Sequence, residues 1–351
     1  VSVPLPEGFE NASVVNVKGE PAVSSVKDGR IEFEASAPAL GNSVYQIIPE
    51  PASKDGSIQD GWIREGSIEV SADTMENSFY RIRLDHGGNL ISLYDKRNRC
   101  EVLEQGHPSN LLQIFEDKPS SETAWNIDLE YQNKEWNLLE GKVQVIEQSA
   151  VKGVLRVTKE FNRSVILQDI TIYSTNPRID FKTRVDWQET EKMLKAAFFV
   201  NVLSGKATYE IQFGAIERPT HWNTSYDKAK FEACAHKWAD LSEGNYGVSI
   251  LNDSKYGYDI KDNRMRITLL RAPVDPDPTA DRGNQEFCYS LLPHIGDYRA
   301  AETVNAGYEL NVPLLAIPGR VMKENGSYAR ITNKHVIIDS IKCAEDGRGT
   351  I

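Results

Sequence analysis

Arg178-Ile-Asp-Phe-Lys-Thr-Arg-Val-Asp-Trp187 sets Ile179, Phe181, Val185 and Trp187 on one side and Asp180, Lys182, Arg184 and Asp186 on the other. Successive side chains of a strand point to opposite faces, so a period of two reads as a half-buried β-strand. Outward from this run, residues 143–146, 154–157, 166–173 and 267–270 are further β-rich stretches bounded by polar, Gly or Pro segments. His86-Gly-Gly-Asn89, between apolar runs at 79–84 and 90–94, reads as the turn of a hairpin. Long amphipathic helical stripes are scarce. Many strands with little helix give sandwiches rather than a βαβ sheet, and the fold class expected is all-β. Residues 226–238 fit two patterns. Phe231, Cys234, Ala235 and Trp238 have helical spacing, whereas Cys234, His236 and Trp238 share a strand face.

The chain has 351 residues, which suggests about two domains. With 40% hydrophobic residues it can bury a sizeable core, which excludes wholesale disorder. Its 40 Lys+Arg against 51 Asp+Glu leave a net charge of −11, the wrong sign for neutralising the phosphates of a nucleic acid. No apolar run approaches the roughly 20 residues that span a bilayer, so no membrane partner is expected. No basic start followed by an apolar stretch marks a signal peptide. Cys100, Cys234, Cys288 and Cys343 are far apart, with neither a zinc-ribbon nor a redox spacing, and read as free thiols of a reducing compartment. The expected location is the cytoplasm. The chain starts Val-Ser-Val and ends Gly-Thr-Ile in a strand-like run, so an excised fragment is expected.

The first seventy residues are Pro-, Ser- and Glu-rich with short strands near 30–34 and 44–48, and residues 54–66 carry boundary composition. Past Pro318-Gly319 the runs 328–331 and 336–341 look like the first strands of another small sandwich. The expected division is therefore 1–70, 71–318 and 319–351.

The densest chemistry lies in Glu217-Arg-Pro-Thr-His-Trp-Asn-Thr224. Arg218, His221, Trp222 and Asn223 place a fork of donors, an imidazole, a broad π-face and an amide within six residues. Sugars take this mixture: C–H faces stack on Trp, and planar polar groups bridge neighbouring hydroxyls. The competing reading is a loop whose polar side chains satisfy buried backbone groups. In Tyr246–Asp259, Tyr256, Tyr258 and Asp259 are placed to line a cleft, but a hairpin with aromatic cross-strand pairs explains the same residues without a ligand and is the reading preferred. Asp275 to Glu286 has a superficial calcium-loop register, but Ala280 stands where such a loop needs Gly, so an acidic turn stiffened by proline is expected. The six histidines (His86, His107, His221, His236, His294, His335) form no metal motif, and no G-x-S-x-G elbow or phosphate loop occurs.

Several runs are similar to glycoside hydrolase family 38 α-mannosidases. These are Glu76-Asn-Ser-Phe-Tyr-Arg-Ile-Arg-Leu-Asp85, Gly88-Asn-Leu-Ile-Ser-Leu-Tyr-Asp-Lys96, Asn110-Leu-Leu-Gln-Ile-Phe-Glu-Asp-Lys-Pro119, Ala124-Trp-Asn-Ile-Asp128, Arg184-Val-Asp-Trp187, Glu217–Thr224, His236-Lys-Trp-Ala-Asp-Leu-Ser-Glu243 and Tyr308-Glu-Leu-Asn-Val-Pro313. The resemblance covers nearly the whole chain and is to the C-terminal β-rich half of these enzymes. It implies a small β-sandwich, then a large galactose-mutarotase-like supersandwich, then a truncated terminal β-sandwich, with 231–238 a strand. In the family an N-terminal catalytic domain holds zinc through Asp and His and uses an Asp nucleophile and an Asp acid in a retaining hydrolysis of terminal α-mannosides. None of those motifs occurs in these residues. The resemblance thus implies no catalytic residue, metal or cofactor here, with zinc in the preceding domain. The partners implied are that domain of the same chain and mannose-containing glycans, with homo-oligomerisation left open. Arg218, His221, Trp222, Asn223 and His294 are the candidates for the rim of the substrate cleft. The alternatives are a stand-alone carbohydrate-binding module and a mutarotase-like enzyme using a His and a carboxylate.

Overall fold

A computed structural model describes residues 1–50, 68–319, 325–333 and 336–349. The chain forms two compact units, Val1–Gly56 with Leu314–Ile351, and Ser57–Pro313. The boundary expected at 54–66 lies outside the described residues.

The first unit is a small β-structure. One sheet runs Ser2–Pro4, Arg30–Phe33, Ser24–Lys27, and another Pro21–Ala22, Ala12–Asn16, Tyr45–Pro49. Val3, Val14, Ile31 and Phe33 form its core. The stretch expected to open a separate sandwich over 319–351 belongs to this unit instead. Gly326–Ser327 pairs with Gly41–Asn42, and no strand forms at 328–331 or 336–341. Tyr328, Val336, Ile337 and Ile341 stay exposed there. Alternating apolar residues make a strand only when a partner edge and a buried face receive them.

The second unit holds three antiparallel sheets around one core. The largest has nine strands in the order Lys142–Gln148, Lys152–Phe161, Ser164–Tyr173, Ile179–Trp187, Gly283–Ile295, Tyr246–Asn252, Trp238–Glu243, Lys206–Ile211, Gly214–Pro219. A six-stranded sheet runs Glu135–Asn137, Leu111–Glu116, Lys192–Phe199, Arg264–Leu270, Gly257–Lys261, Ala233–Cys234. A five-stranded sheet runs Cys100–Glu101, Leu90–Asp95, Tyr80–Leu84, Thr74–Glu76, Glu69–Val70. The all-β expectation and the large sandwich are therefore what the molecule forms.

Ile179, Phe181, Val185 and Trp187 all face the core, as their alternation requires. Phe181 and Tyr289 of the nine-stranded sheet meet Phe198 of the six-stranded sheet, with ring centroids 5.6 and 6.3 Å away. The hairpin at 86–89 forms as expected. Asp85 Oδ1 accepts from the amides of Gly87 and Asn89 at 2.9 Å each, and Gly88 takes φ +79°.

Two segments depart from expectation. Tyr246–Asn252 and Gly257–Lys261 lie in different sheets, so 246–259 is a crossing between layers and not a hairpin. Asn252 organises it: its Oδ1 accepts from the Lys255 amide at 2.7 Å and its Nδ2 donates to Tyr258 Oη at 2.6 Å. Residues 226–238 take neither reading whole. Ser225–Lys228 is one helical turn, Ala233–Cys234 a short strand, and a separate strand begins at Trp238.

Candidate functional site

After Gly214–Pro219, the outermost strand of the nine-stranded sheet, the chain crosses to the edge of the six-stranded sheet and joins it at Ala233–Cys234. This crossover carries most of the sequence candidates. Its exit is pinned by Thr220, whose Oγ1 donates to the Ser204 carbonyl at 2.5 Å and whose carbonyl accepts from the Asp262 amide at 2.8 Å. Thr224 caps the helical turn: its Oγ1 accepts from the Asp227 amide at 3.1 Å, and Asp227 Oδ2 accepts from the Thr224 amide at 3.0 Å.

Three candidates, His221, Trp222 and Asn223, lie on the crossover, and Arg218 stands just before it on the strand. The Arg218 guanidinium lies 4.7 Å above the Tyr209 ring. Lys261 Nζ stands 4.0 Å from the Trp222 ring centre, so one face of the indole is already occupied by a cation. His221 Nδ1 is 3.7 Å from Asp227 Oδ2, beyond hydrogen-bond range. Asn223 is exposed. Arg218 Nη1 and His221 Nδ1 are buried atoms with no hydrogen-bond partner among the described residues. Such groups cost free energy until something binds them.

His294 does not join them. The register Glu217↔Thr208↔Asp240↔Ser249, with Gly247↔His294 two residues along, puts His294 and Glu217 on one face of the nine-stranded sheet and Arg218 on the other. His294 is buried, with Nε2 2.8 Å from Asp240 Oδ2 and 3.1 Å from Ser249 Oγ. Ser and Asp share one ring nitrogen, so this is no hydrolytic triad, which needs them on opposite nitrogens. His294 thus lies apart from the other candidates, on the opposite face of the sheet from Arg218, and its Nδ1 is likewise a buried atom with no hydrogen-bond partner among the described residues.

A second polar cluster, not legible from residue spacing, lies on the outward face of the six-stranded sheet. Lys195, fully buried, donates from Nζ to Asp259 Oδ2 at 2.8 Å and to the Glu232 carboxylate. Arg266 Nε reaches both Asp259 oxygens at 2.8 and 2.9 Å, and Tyr131 Oη donates to Glu232 Oε1 at 2.5 Å. Arg266 Nη1 is 3.4 Å from Gln113 Oε1. Burial pushes the Glu232 carboxyl up against the pull of Lys195. Burial also works against the Asp259 carboxylate, but Lys195, Arg266 and Arg264 together hold it at about 2. The local alternation Tyr258-Asp-Ile-Lys and Arg264-Met-Arg-Ile looks like a wet outer face. Only the fold shows that Tyr131 and the segment leading to Ala233 cover it.

Among the described residues no group of three or more His, Cys, Asp or Glu is arranged to hold a metal ion. In the acidic turn, Asp277 Oδ1 accepts from the Thr279 amide, and Asp281 Oδ2 from the amides of Arg271 and Ala272. No described helix is long and apolar enough to cross a membrane.

Residues 75–279 match the C-terminal domain of the glycosyl hydrolases family 38. Human "Alpha-mannosidase 2C1" is 34% identical over 97% of this chain and 33% of its own length. "Alpha-mannosidase G" of Dictyostelium discoideum is 37% identical over 80% of this chain and 27% of its own. The chain thus spans about a third or less of these relatives. An alpha-mannosidase structure from Enterococcus faecalis V583 superposes with TM-score 0.72 and 15% identity, over 93% of this chain and 44% of that one. That likeness is one of fold. With more than half of its residues matched by the domain, the chain belongs to glycosyl hydrolase family 38, as part of the C-terminal region.

Proposed function

We propose that this chain is the β-domain portion of a retaining, zinc-dependent α-mannosidase acting on terminal α-mannosides. In this reading zinc and the nucleophile–acid pair belong to an N-terminal catalytic part, the enzyme is cytoplasmic, and the β-portion supports that part and supplies one wall of the mannoside cleft. The observation that carries it is the 34% identity to human "Alpha-mannosidase 2C1" along 97% of this chain. The crossover supports the placement of the wall. Arg218 and His221 hold buried donors or acceptors in want of a partner, and a sugar hydroxyl is both donor and acceptor. Next to them Gly214–Pro219 is an unpaired sheet edge with Phe213 fully exposed at its turn, which fits contact with further protein.

The test uses the whole enzyme. Arg218→Ala and His221→Ala lower kcat/KM on an aryl α-mannoside by about tenfold, the size of one lost polar contact, with the melting temperature near wild type. Unchanged kinetics with a lowered melting temperature would return both residues to a purely structural role.

A further inference from the structure

We propose that Lys195 and Glu232 are a positioning pair that fixes the crossover carrying His221 and Trp222, a role that rests on reading that crossover as a cleft wall. Between its two ends Lys261 packs on the Trp222 ring, and the stretch that follows is largely exposed. The single helical turn Ser225–Lys228 has no buried residue, and Asn223, Tyr226 and Lys230 are exposed. One end is pinned by Thr220. At the other, Phe231 packs on the small cluster of Phe115, Tyr131 and Met193, and Glu232 receives donors from Lys195 and Tyr131.

Lys195 belongs to Lys192–Phe199, a strand paired on both sides within the six-stranded sheet. Its ammonium also lies 5.0 Å from the Tyr131 ring centre and bonds Asp259. The donor is thus rigid and the acceptor lies on the irregular segment. An apolar pair would fill this space at similar or better stability, since burying two charges costs about as much as their attraction returns. Apolar contact, however, tolerates sliding. A hydrogen-bonded ion pair specifies one register and one orientation, and the Lys195–Glu232 bond sets where the crossover enters the sheet.

In the whole enzyme, Glu232→Ala raises amide hydrogen exchange over residues 218–230 by about tenfold and lowers kcat/KM by a similar factor, chiefly through KM. The double variant Lys195→Met with Glu232→Met restores packing without direction. It regains most of the lost melting temperature while exchange and KM stay raised. If exchange and KM return to wild type together with the melting temperature, or if exchange in Glu232→Ala does not rise, the pair is only structural and the proposal is overturned. Arg218→Ala is the separate control. If it leaves KM unchanged, the cleft-wall reading falls, and exchange over 218–230 alone then decides the anchoring: a rise upholds it and no rise overturns it.

Discussion

At Lys159 three acceptors converge on one buried amine: the Gly87 carbonyl at 2.9 Å, Asn89 Oδ1 at 2.9 Å and the Leu138 carbonyl at 2.7 Å. Burial outweighs the attraction of Asp85 and Glu140 and pulls its proton affinity down from 10.5 to about 8. The unfolded chain keeps this proton up to its ordinary value, while the folded chain releases it near 8. Unfolding therefore takes up a proton between about pH 8 and 10.5, and this residue's contribution raises stability with pH across that window, by ~3 kcal/mol in all. Denaturant unfolding at pH 8, 9 and 10 should show this rise in wild type and a flatter profile in Lys159→Met; equal slopes would show that Lys159 does not titrate so. Legibility at this scale was uneven. Arg218, His221 and Trp222 could be grouped because they are near neighbours along the chain. His294 could not be placed, since its face of the sheet depends on the register of strands far away in sequence. Asp259 stands out in the sequence only as a possible cleft-lining residue, and its pairing with Lys195 and Arg266 is not legible, because a polar strand face looks the same whether water or Tyr131 covers it.

Among the elements, strands with strict alternation were readable and crossings between sheets were not. The turn at 86–89 and the polar segment 253–256, which Gly257 follows directly, both read as turn composition, yet one joins paired neighbours and the other changes layers. Which occurs is decided by partners elsewhere, such as Tyr209, whose ring meets Tyr258 edge-on at 6.4 Å. The strands expected at 328–331 and 336–341 failed for the same reason: pattern supplies a candidate face, and only a neighbour edge makes it a strand. The hairpin offers a sharp test of packing. A Cβ at Gly87 would stand 1.7 Å from the Leu139 carbonyl oxygen, a backbone atom that cannot rotate away. Gly87→Ala should cost about 3 kcal/mol in urea unfolding, at the upper end of overpacking effects. Gly214, at the exposed turn of the sheet edge, has open space around its Cβ position, and Gly214→Ala should stay within about 0.5 kcal/mol of wild type. Equal costs at the two positions would contradict the close approach at Gly87.

At the scale of the whole molecule, composition and strand pattern made the all-β class and a large central sandwich legible, and the similarity of long runs such as Glu217–Thr224 made the family legible. The grouping of 314–351 with the first unit was not, because it rests on pairing between Gly326–Ser327 and Gly41–Asn42, far apart along the chain. In the proposed role these 351 residues brace a catalytic part that lies elsewhere in the enzyme. In the second unit the Asp259 carboxylate bonds both Lys195 and Arg266. The most direct measurement is hydrolysis of an aryl α-mannoside by the purified chain alone, with zinc added, beside a blank preparation. Release should equal the blank, with no stoichiometric zinc on the protein; zinc-dependent release above the blank would place the catalytic centre in this chain and contradict the proposed role.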